Sequence, residues 1–240
     1  IKEKAGLKRV TLELGSNAAV IIDEDVELTD EIMERVKWGA FVNNGQVCIS
    51  VQRVFVHEKR MDEFLSKLKK AMETVVVGDP MNEETDVSAL ISKKDVKRIE
   101  MWVQEAIKEG ATVLYGGKKR DERIFEPTVL TNVPEHVSVQ CQEVFGPVMT
   151  VNTFKEFDEA IEKVNHSRYG LQAGVFTNNL FKAMRAIDEL EVGGVMINDI
   201  PTFRVDHMPY GGVKESGTGR EGIKYAIEEM TEMKLVCIKK

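Results

Sequence analysis

Short apolar, β-branched runs alternate along this chain with longer stretches of helical period, and this alternation constrains the fold more than any other feature. Strands are expected at 10–14, 19–22, 53–56, 112–114, 126–130, 148–152, 173–176, 194–197 and 235–238. Helices are expected near 29–43, 59–73, 93–108, 156–164, 179–190 and 221–229. In the second of these helices Met61, Phe64, Leu65, Leu68 and Met72 recur at three- and four-residue steps, which makes one buried stripe with lysines on the far side. Val96, Ile99, Val103, Ala106 and Ile107 repeat the pattern in the third, and Gly110 follows as a terminator. Strand–helix alternation over the whole length predicts an α/β fold with a largely parallel sheet. No internal repeat, low-complexity segment or clear linker interrupts it, so most of the 240 residues should form one compact unit.

Composition narrows the function classes. A chain this long buries a sizeable core without disulfides or metal. Forty acidic residues against 33 basic ones give a net charge of −7, which disfavours a general nucleic-acid binder. Apolar runs such as 75–77 fall far below the roughly 18 residues that span a bilayer. A membrane protein is therefore not expected, nor is a signal peptide. Cys48, Cys141 and Cys237 form no CxxC pair and suit a reducing cytoplasm better than a disulfide framework. Asn165-His166-Ser167 matches a glycosylation sequon that reads as chance without a secretory signal. His57, His136, His166 and His207 have no metal-ligand spacing, so no metal site is expected. The first residue is Ile1 rather than Met, as at the boundary of a fragment.

Four constellations can carry chemistry. In Asn43-Asn44-Gly45-Gln46-Val47-Cys48 a cysteine follows a Gly/Asn loop whose amides can stabilise a thiolate or an oxyanion; the alternative is a buried, inert thiol. Glu13 sits in an apolar strand ending at Gly15. It is either a partly desolvated general base or a residue that alternates outward to solvent. In Gln142-Glu143-Val144-Phe145-Gly146-Pro147 a carboxylate suited to ribose hydroxyls stands beside a ring suited to a planar heterocycle, unless this is an ordinary loop. Gly217, Gly219 and Gly222 spell GxGxxG, but no clear strand precedes them and no βαβ unit follows. They read as a flexible turn feeding the last helix.

The order of these pieces is more specific than any one of them. Leu12-Glu13-Leu14-Gly15, then Gly45-Gln46-Val47-Cys48, then Glu143-Val144-Phe145-Gly146-Pro147, then Pro209-Tyr210-Gly211-Gly212-Val213-Lys214-Glu215-Ser216-Gly217 closely resembles the aldehyde dehydrogenase superfamily. The resemblance covers essentially the whole chain. It implies a three-layer open sheet, mostly parallel and twisted, with helices on both faces. Family members are about twice this length, so the chain corresponds to their C-terminal half. Residues 1–14 would end a cofactor-binding domain, 15–214 would form the catalytic domain, and 215–240 would supply the last helix and an oligomerisation strand. The upstream half would carry an oxyanion-hole asparagine and most adenosine contacts.

The resemblance also implies roles. Cys48 matches the nucleophile that attacks an aldehyde to give a thiohemiacetal and then a thioester. Glu13 matches the base that activates water for deacylation. Glu143 and Phe145 match the residues that hold the nicotinamide ribose and ring of NAD or NADP, with Gly15 beside them. Phe203, Arg204, His207 and Tyr210, within a loop over 199–210 that also holds Asp199 and Thr202, would line the aldehyde entrance. Arg204 and His207 suggest a small hydroxy- or phospho-aldehyde, unless both face solvent or make structural contacts. The overall style is similar to bacterial or archaeal members acting on lactaldehyde or glyceraldehyde-3-phosphate. The partner would be a small-molecule aldehyde, and the intact protein a homodimer or homotetramer. Ser16 departs from the family's second glycine and either narrows the approach of the cofactor or is a tolerated variant. Three other readings stay open: thiol esterase activity of this domain alone, a non-catalytic structural or interaction protein built on this fold, and the CoA-acylating branch, which need not keep Glu13.

Overall fold

The computed structural model describes all 240 residues. In chain order it contains β1 (Leu12–Glu13), β2 (Ala19–Ile22), α1 (Asp30–Phe41), β3 (Arg53–His57), α2 (Met61–Met72), α3 (Lys93–Lys108), β4 (Thr112–Tyr115), β5 (Thr128–Thr131), α4 (Ser138–Cys141), β6 (Val148–Phe154), α5 (Phe157–Asn165), β7 (Tyr169–Gly170), β8 (Gln172–Phe176), α6 (Leu180–Glu189), β9 (Gly194–Ile197), β10 (Val213–Lys214), β11 (Gly217–Thr218) and α7 (Ile223–Met230). Seven strands form one sheet in the order β4-β5-β6-β3-β2-β8-β9. All neighbours are parallel except the edge pair β4–β5.

Both faces of the sheet are covered, and for that reason its strands read as continuous apolar runs. Alternate residues of β2 and β3 go to opposite sides. Val20, Ile22, Val54 and Val56 pack with Met33, Val36 and Ala40 of α1 and Phe64, Leu68 and Met72 of α2. Ala19, Ile21 and Phe55 pack with Phe157, Ala160, Ile161 and Val164 of α5. A third cluster joins Val96, Ile99 and Val103 of α3 to Leu130 of β5 and Val148 of β6. This is the expected three-layer α/β sandwich.

The helices begin where their caps place them. Ser92 accepts the amides of Lys94 and Asp95 and donates its hydroxyl to Asp95 at 2.7 Å, so two free amides at the start of α3 are satisfied. Thr29 and Asn179 cap α1 and α6 in the same way. Gly110 ends the α3 segment at φ +107°.

Two expectations need correction. The run at 10–14 pairs only over Leu12–Glu13. Within the single chain no strand forms at 235–238: everything after Met230 is exposed, with Leu235 at 93% and Ile238 at 85% exposure, and Arg9 holds only the Thr231 carbonyl and the Glu232 carboxylate. A β-strand exists through its neighbour, and local apolar pattern alone does not create one. No helix is long and apolar enough to cross a membrane.

Leu68 is fully buried between α2 and the sheet, whereas Lys69 is exposed. Leu68→Ala should destabilise the protein by about 2–5 kcal/mol, and Lys69→Ala by less than about 0.5 kcal/mol. Urea midpoints at constant slope measure both.

Candidate active site

The chain leaves α1 through a tight turn in which Asn43, Asn44 and Gly45 all adopt left-handed backbone, at φ +51°, +62° and +68°. Asparagine tolerates this region and glycine is free in it. The side chains then pin the turn. Asn44 accepts the Ser88 amide at 2.6 Å and donates to the Ala89 carbonyl at 3.2 Å, while Gln46 accepts the Ile91 amide. Cys48 follows, half-buried beside Val47, Ile49, Leu171 and Tyr210. Its Sγ lies 2.7 Å from the Tyr210 hydroxyl. Burial pushes the thiol above the ordinary cysteine value. The Tyr210 contact pulls it down, and the nearby charges of Glu13 and Glu143 push it up.

Glu13 reaches the same place on β1, which pairs antiparallel with β11 through Leu12↔Thr218 and Glu13↔Gly217. This contact explains the glycine-rich stretch. At Gly217, φ is +142°, and a β-carbon there would collide with the Leu12 carbonyl. The GxGxxG stretch is therefore not simply a turn before α7: its first glycine lets the chain lie directly on β1. Both carboxylate oxygens of Glu13 are buried without a hydrogen-bond partner. Desolvation, with Glu221 adding repulsion against Arg204 and Arg220, raises its pKa to about 7. The outward-facing alternative for Glu13 does not hold.

Glu143 stands behind Gly15. Its Oε1 accepts the Ser16 amide at 2.9 Å, and burial raises its pKa. A β-carbon on Gly15 would sit 2.7 Å from Glu143 Oε2. The segment carrying Glu143 is held by Gln52, whose amide donates to the carbonyls of Val139 (2.9 Å) and Gln142 (2.7 Å) and whose oxygen accepts the Val144 amide (2.9 Å). Phe145 follows, a residue 38% exposed, with φ +47°, a conformation that a bulky residue adopts only when its surroundings impose it. Ser16 is buried, so its side chain is packed inside rather than standing in the opening.

The 199–210 segment divides. Tyr210 is buried against Cys48, and Arg204 stacks over the Tyr210 ring at 4.1 Å while pairing with Glu221 at 2.9 Å. Phe203 is part-exposed near them in sequence. His207 is exposed and makes no hydrogen bond or ion pair. Asp199 faces away into a two-pronged pair with Arg35, at 2.7 and 3.0 Å. Thr202 is buried and donates to the Ile49 carbonyl. These last two are structural. A groove of about 630 Å³ lined by Arg53, Cys141, Gln142, Lys163, His166 and Arg168 contains neither Cys48 nor Glu13. Its floor residue Arg53 is buried on main-chain carbonyls of Asn17, Lys163 and Val164.

A thiol, a proton-binding carboxylate near pH 7 and a carboxylate cradled by a glycine thus share one site. A model of the aldehyde dehydrogenase family matches residues 1–236. The chain belongs to the aldehyde dehydrogenase family. It is 52% identical over 99% of its length to a 3-sulfolactaldehyde dehydrogenase of Priestia aryabhattai, and 42% identical over 99% to a lactaldehyde dehydrogenase of Methanococcus aeolicus. In each case it covers 50% of the relative, so the chain spans about half the length of these curated relatives. Its fold superposes with TM-score 0.95 and 41% identity on glyceraldehyde-3-phosphate dehydrogenase GapN of Methanocaldococcus jannaschii complexed with NADP. That match covers 100% of this chain and 52% of that one.

The residues present fit the nicotinamide dinucleotide that an aldehyde dehydrogenase uses. Gly15 leaves open the space beside Glu143, and Glu143 Oε2 accepts no hydrogen bond from the protein. That oxygen is available to a ribose diol. Gln52 had no signal in the sequence beyond a polar residue type near the motifs, and neither did the contact between Tyr210 and Cys48, although Asn44 and Tyr210 themselves lie within segments singled out there.

The raised pKa of Glu13 has a consequence for stability. Between about 4.5, its ordinary value, and about 7, the folded chain holds a proton that the unfolded chain has released. Stability therefore falls as pH rises through that window. Glu13→Gln should flatten the wild-type decline in unfolding midpoint between pH 4.5 and 7, as denaturation at a series of pH values would show.

Proposed function

We propose that this chain is the catalytic half of an NAD(P)-dependent dehydrogenase that oxidises a small, hydroxylated, anionic aldehyde to its acid. The observation that carries the proposal is the meeting of Cys48, Glu13 and Glu143 from three distant segments at one site. A nicotinamide dinucleotide supplies the hydride acceptor when bound, with Glu143 on its ribose and Phe145 beside its ring.

The protein's own groups divide the work by charge. Charge on Glu13 raises the Cys48 thiol, so the thiolate forms most readily while Glu13 holds its proton. The thiolate attacks the aldehyde carbon and gives a thiohemiacetal. Once that adduct is oxidised to a thioester, the sulfur carries no charge. Glu13, with a pKa near ambient pH, then takes a proton from water, and the hydroxide so formed attacks the thioester carbon. The acid leaves and the thiol is restored. The presence of Glu13 favours hydrolysis over acyl transfer to CoA. Relatives named for sulfolactaldehyde and lactaldehyde, together with Arg204 beside the site, support a three-carbon hydroxy-aldehyde with an anionic end. The free cysteines suit work in the cytoplasm, and the exposed apolar residues at Met233, Leu235 and Ile238 suit assembly as a homodimer or homotetramer.

Absorbance at 340 nm, followed in the full-length gene product over a panel of aldehydes, tests the proposal. Cys48→Ala should abolish the signal. Glu13→Gln should leave a first turnover but slow the steady rate by about 10²–10⁴-fold. A Cys48→Ala protein that still oxidises aldehydes rejects the reading.

Selectivity gives a second test. Arg204→Met should raise KM for a sulfonated or phosphorylated aldehyde by about tenfold and leave KM for lactaldehyde nearly unchanged. Equal effects on both would remove Arg204 from substrate recognition.

A further inference from the structure

The buried phenol of Tyr210 has one hydrogen-bond partner in the whole molecule, the sulfur of Cys48, at 2.7 Å. A buried tyrosine hydroxyl ordinarily finds a carbonyl or a carboxylate, and a neutral thiol is a poor substitute for either. The ring cannot turn away to seek a better one. It is 3% exposed, packed against Ile49 and Leu171, and its main chain exchanges two hydrogen bonds with Glu221, at 3.1 and 2.6 Å. The hydroxyl is thus held on an atom that becomes a strong acceptor only when ionised.

We propose that Tyr210 is a catalytic residue whose hydroxyl donates to the Cys48 sulfur and stabilises it as the thiolate. This rests on the reading of Cys48 as the nucleophile. The charged and titratable groups around the sulfur make the need plain. Glu13 comes from β1 and Glu143 from the segment before β6, and both disfavour a second negative charge. Arg204 lies over the ring of Tyr210 and, with Arg220, acts on Glu13, and no lysine, arginine or histidine pairs with Cys48. The phenol is the one side-chain donor on the sulfur and acts more strongly than Cys48's own main-chain amide. Its own ionisation is pushed far upward, by burial first and then by Cys48 and Glu13, so it keeps its proton throughout. On ionisation the thiol proton leaves to water and the phenol O–H turns fully to sulfur. Arg204, 4.1 Å over the ring, withdraws electron density from the phenol and strengthens the donor. A phenylalanine would fill the same volume and lack only the hydroxyl.

The test is the pH dependence of alkylation by iodoacetamide, followed at each cysteine by mass spectrometry in the full-length gene product. Tyr210→Phe should move the Cys48 curve to higher pH and slow alkylation at pH 7 about tenfold, because a hydrogen bond to an anion is lost. Cys141 and Cys237 should react as before. Arg204→Met, which keeps the phenol, should shift the Cys48 curve the same way by about threefold, and this effect should shrink in the Tyr210→Phe background. A Tyr210→Phe curve that overlies the wild type overturns the proposal, as does an Arg204 effect of undiminished size without the hydroxyl. If Tyr210→Phe fails to fold, judged by its thermal midpoint, the Arg204→Met curve decides: no shift overturns the proposal. Oxidation of aldehydes by Cys48→Ala would instead sink the nucleophile reading, whatever the alkylation curves show.

Discussion

One buried carboxamide, that of Gln52, ties the candidate nucleophile to the rest of the site. It lies four residues after Cys48, at the entry to β3, and engages three main-chain groups of the 139–144 segment. Removing it would leave two buried carbonyls and an amide without partners, each more expensive to abandon than the bond was to form. Through Gln52 the position of Cys48 fixes that of Glu143, and Glu143 in turn fixes Ser16. From Gly15 the linkage runs on through Ser216, whose hydroxyl donates to the Gly15 carbonyl at 2.7 Å and accepts the Gly170 amide at 3.0 Å. β11 then returns to lie on β1 beside Glu13. A displacement anywhere in this circuit moves every reactive group together, which is what keeps a few side chains from five segments in register.

The parts of the fold written in local pattern were legible in advance. β2, β9 and α3 fall where their apolar period and caps place them, because each is decided within a few residues. What depended on a distant partner was not. The 10–14 run has strand character, yet only two residues pair, since β11 offers only two opposite them. The 235–238 run has the same character and no neighbour within the single chain, so it forms no strand there. The GxGxxG stretch looked like a turn because the β1 segment that requires its first glycine lies about two hundred residues earlier. In the site, Cys48 and Glu13 were visible as reactive residue types beside glycines. The contact of Cys48 with Tyr210 spans 162 residues and leaves no mark on either sequence neighbourhood. Gln52 reads as one polar residue before an apolar strand, and Asp199 and Thr202 read like their neighbours although they point into structural contacts.

The electrostatic arrangement of the site runs against stability, and its direction bears on function. Glu13, Glu143 and Glu221 crowd a half-buried region near a thiol, opposed by Arg204 and Arg220 at Glu13 and by Arg98 at Glu143. A design for stability would pair Glu13 or replace it with an apolar residue. Instead both its oxygens are buried and unpartnered in a molecule that otherwise leaves few such atoms. Surface noise does not produce this, because the carboxylate is held in place by the β1–β11 pairing. Strain of this kind persists where a proton must be held and released near ambient pH.

Seen this way, the site can hold one negative charge comfortably and a second only at a cost. That constraint orders the proposed chemistry. Ionisation of Cys48 and ionisation of Glu13 compete, so the two groups are reactive in turn rather than together. Attachment of carbon moves the charge from sulfur to the aldehyde oxygen, and oxidation of the adduct to a neutral thioester releases Glu13 from the competition, so the oxidation prepares the base for hydrolysis. Tyr210 and Arg204 bear on the same balance from the opposite side. On the proposed reading the phenol favours negative charge at the sulfur as a neutral donor, and Arg204, which polarises the ring, is paired with Glu221 and leaves the Glu13 pKa raised. A polarised neutral donor at the nucleophile and an unpaired base beside it are therefore complementary requirements: a full cation against Cys48 would satisfy the first and destroy the second.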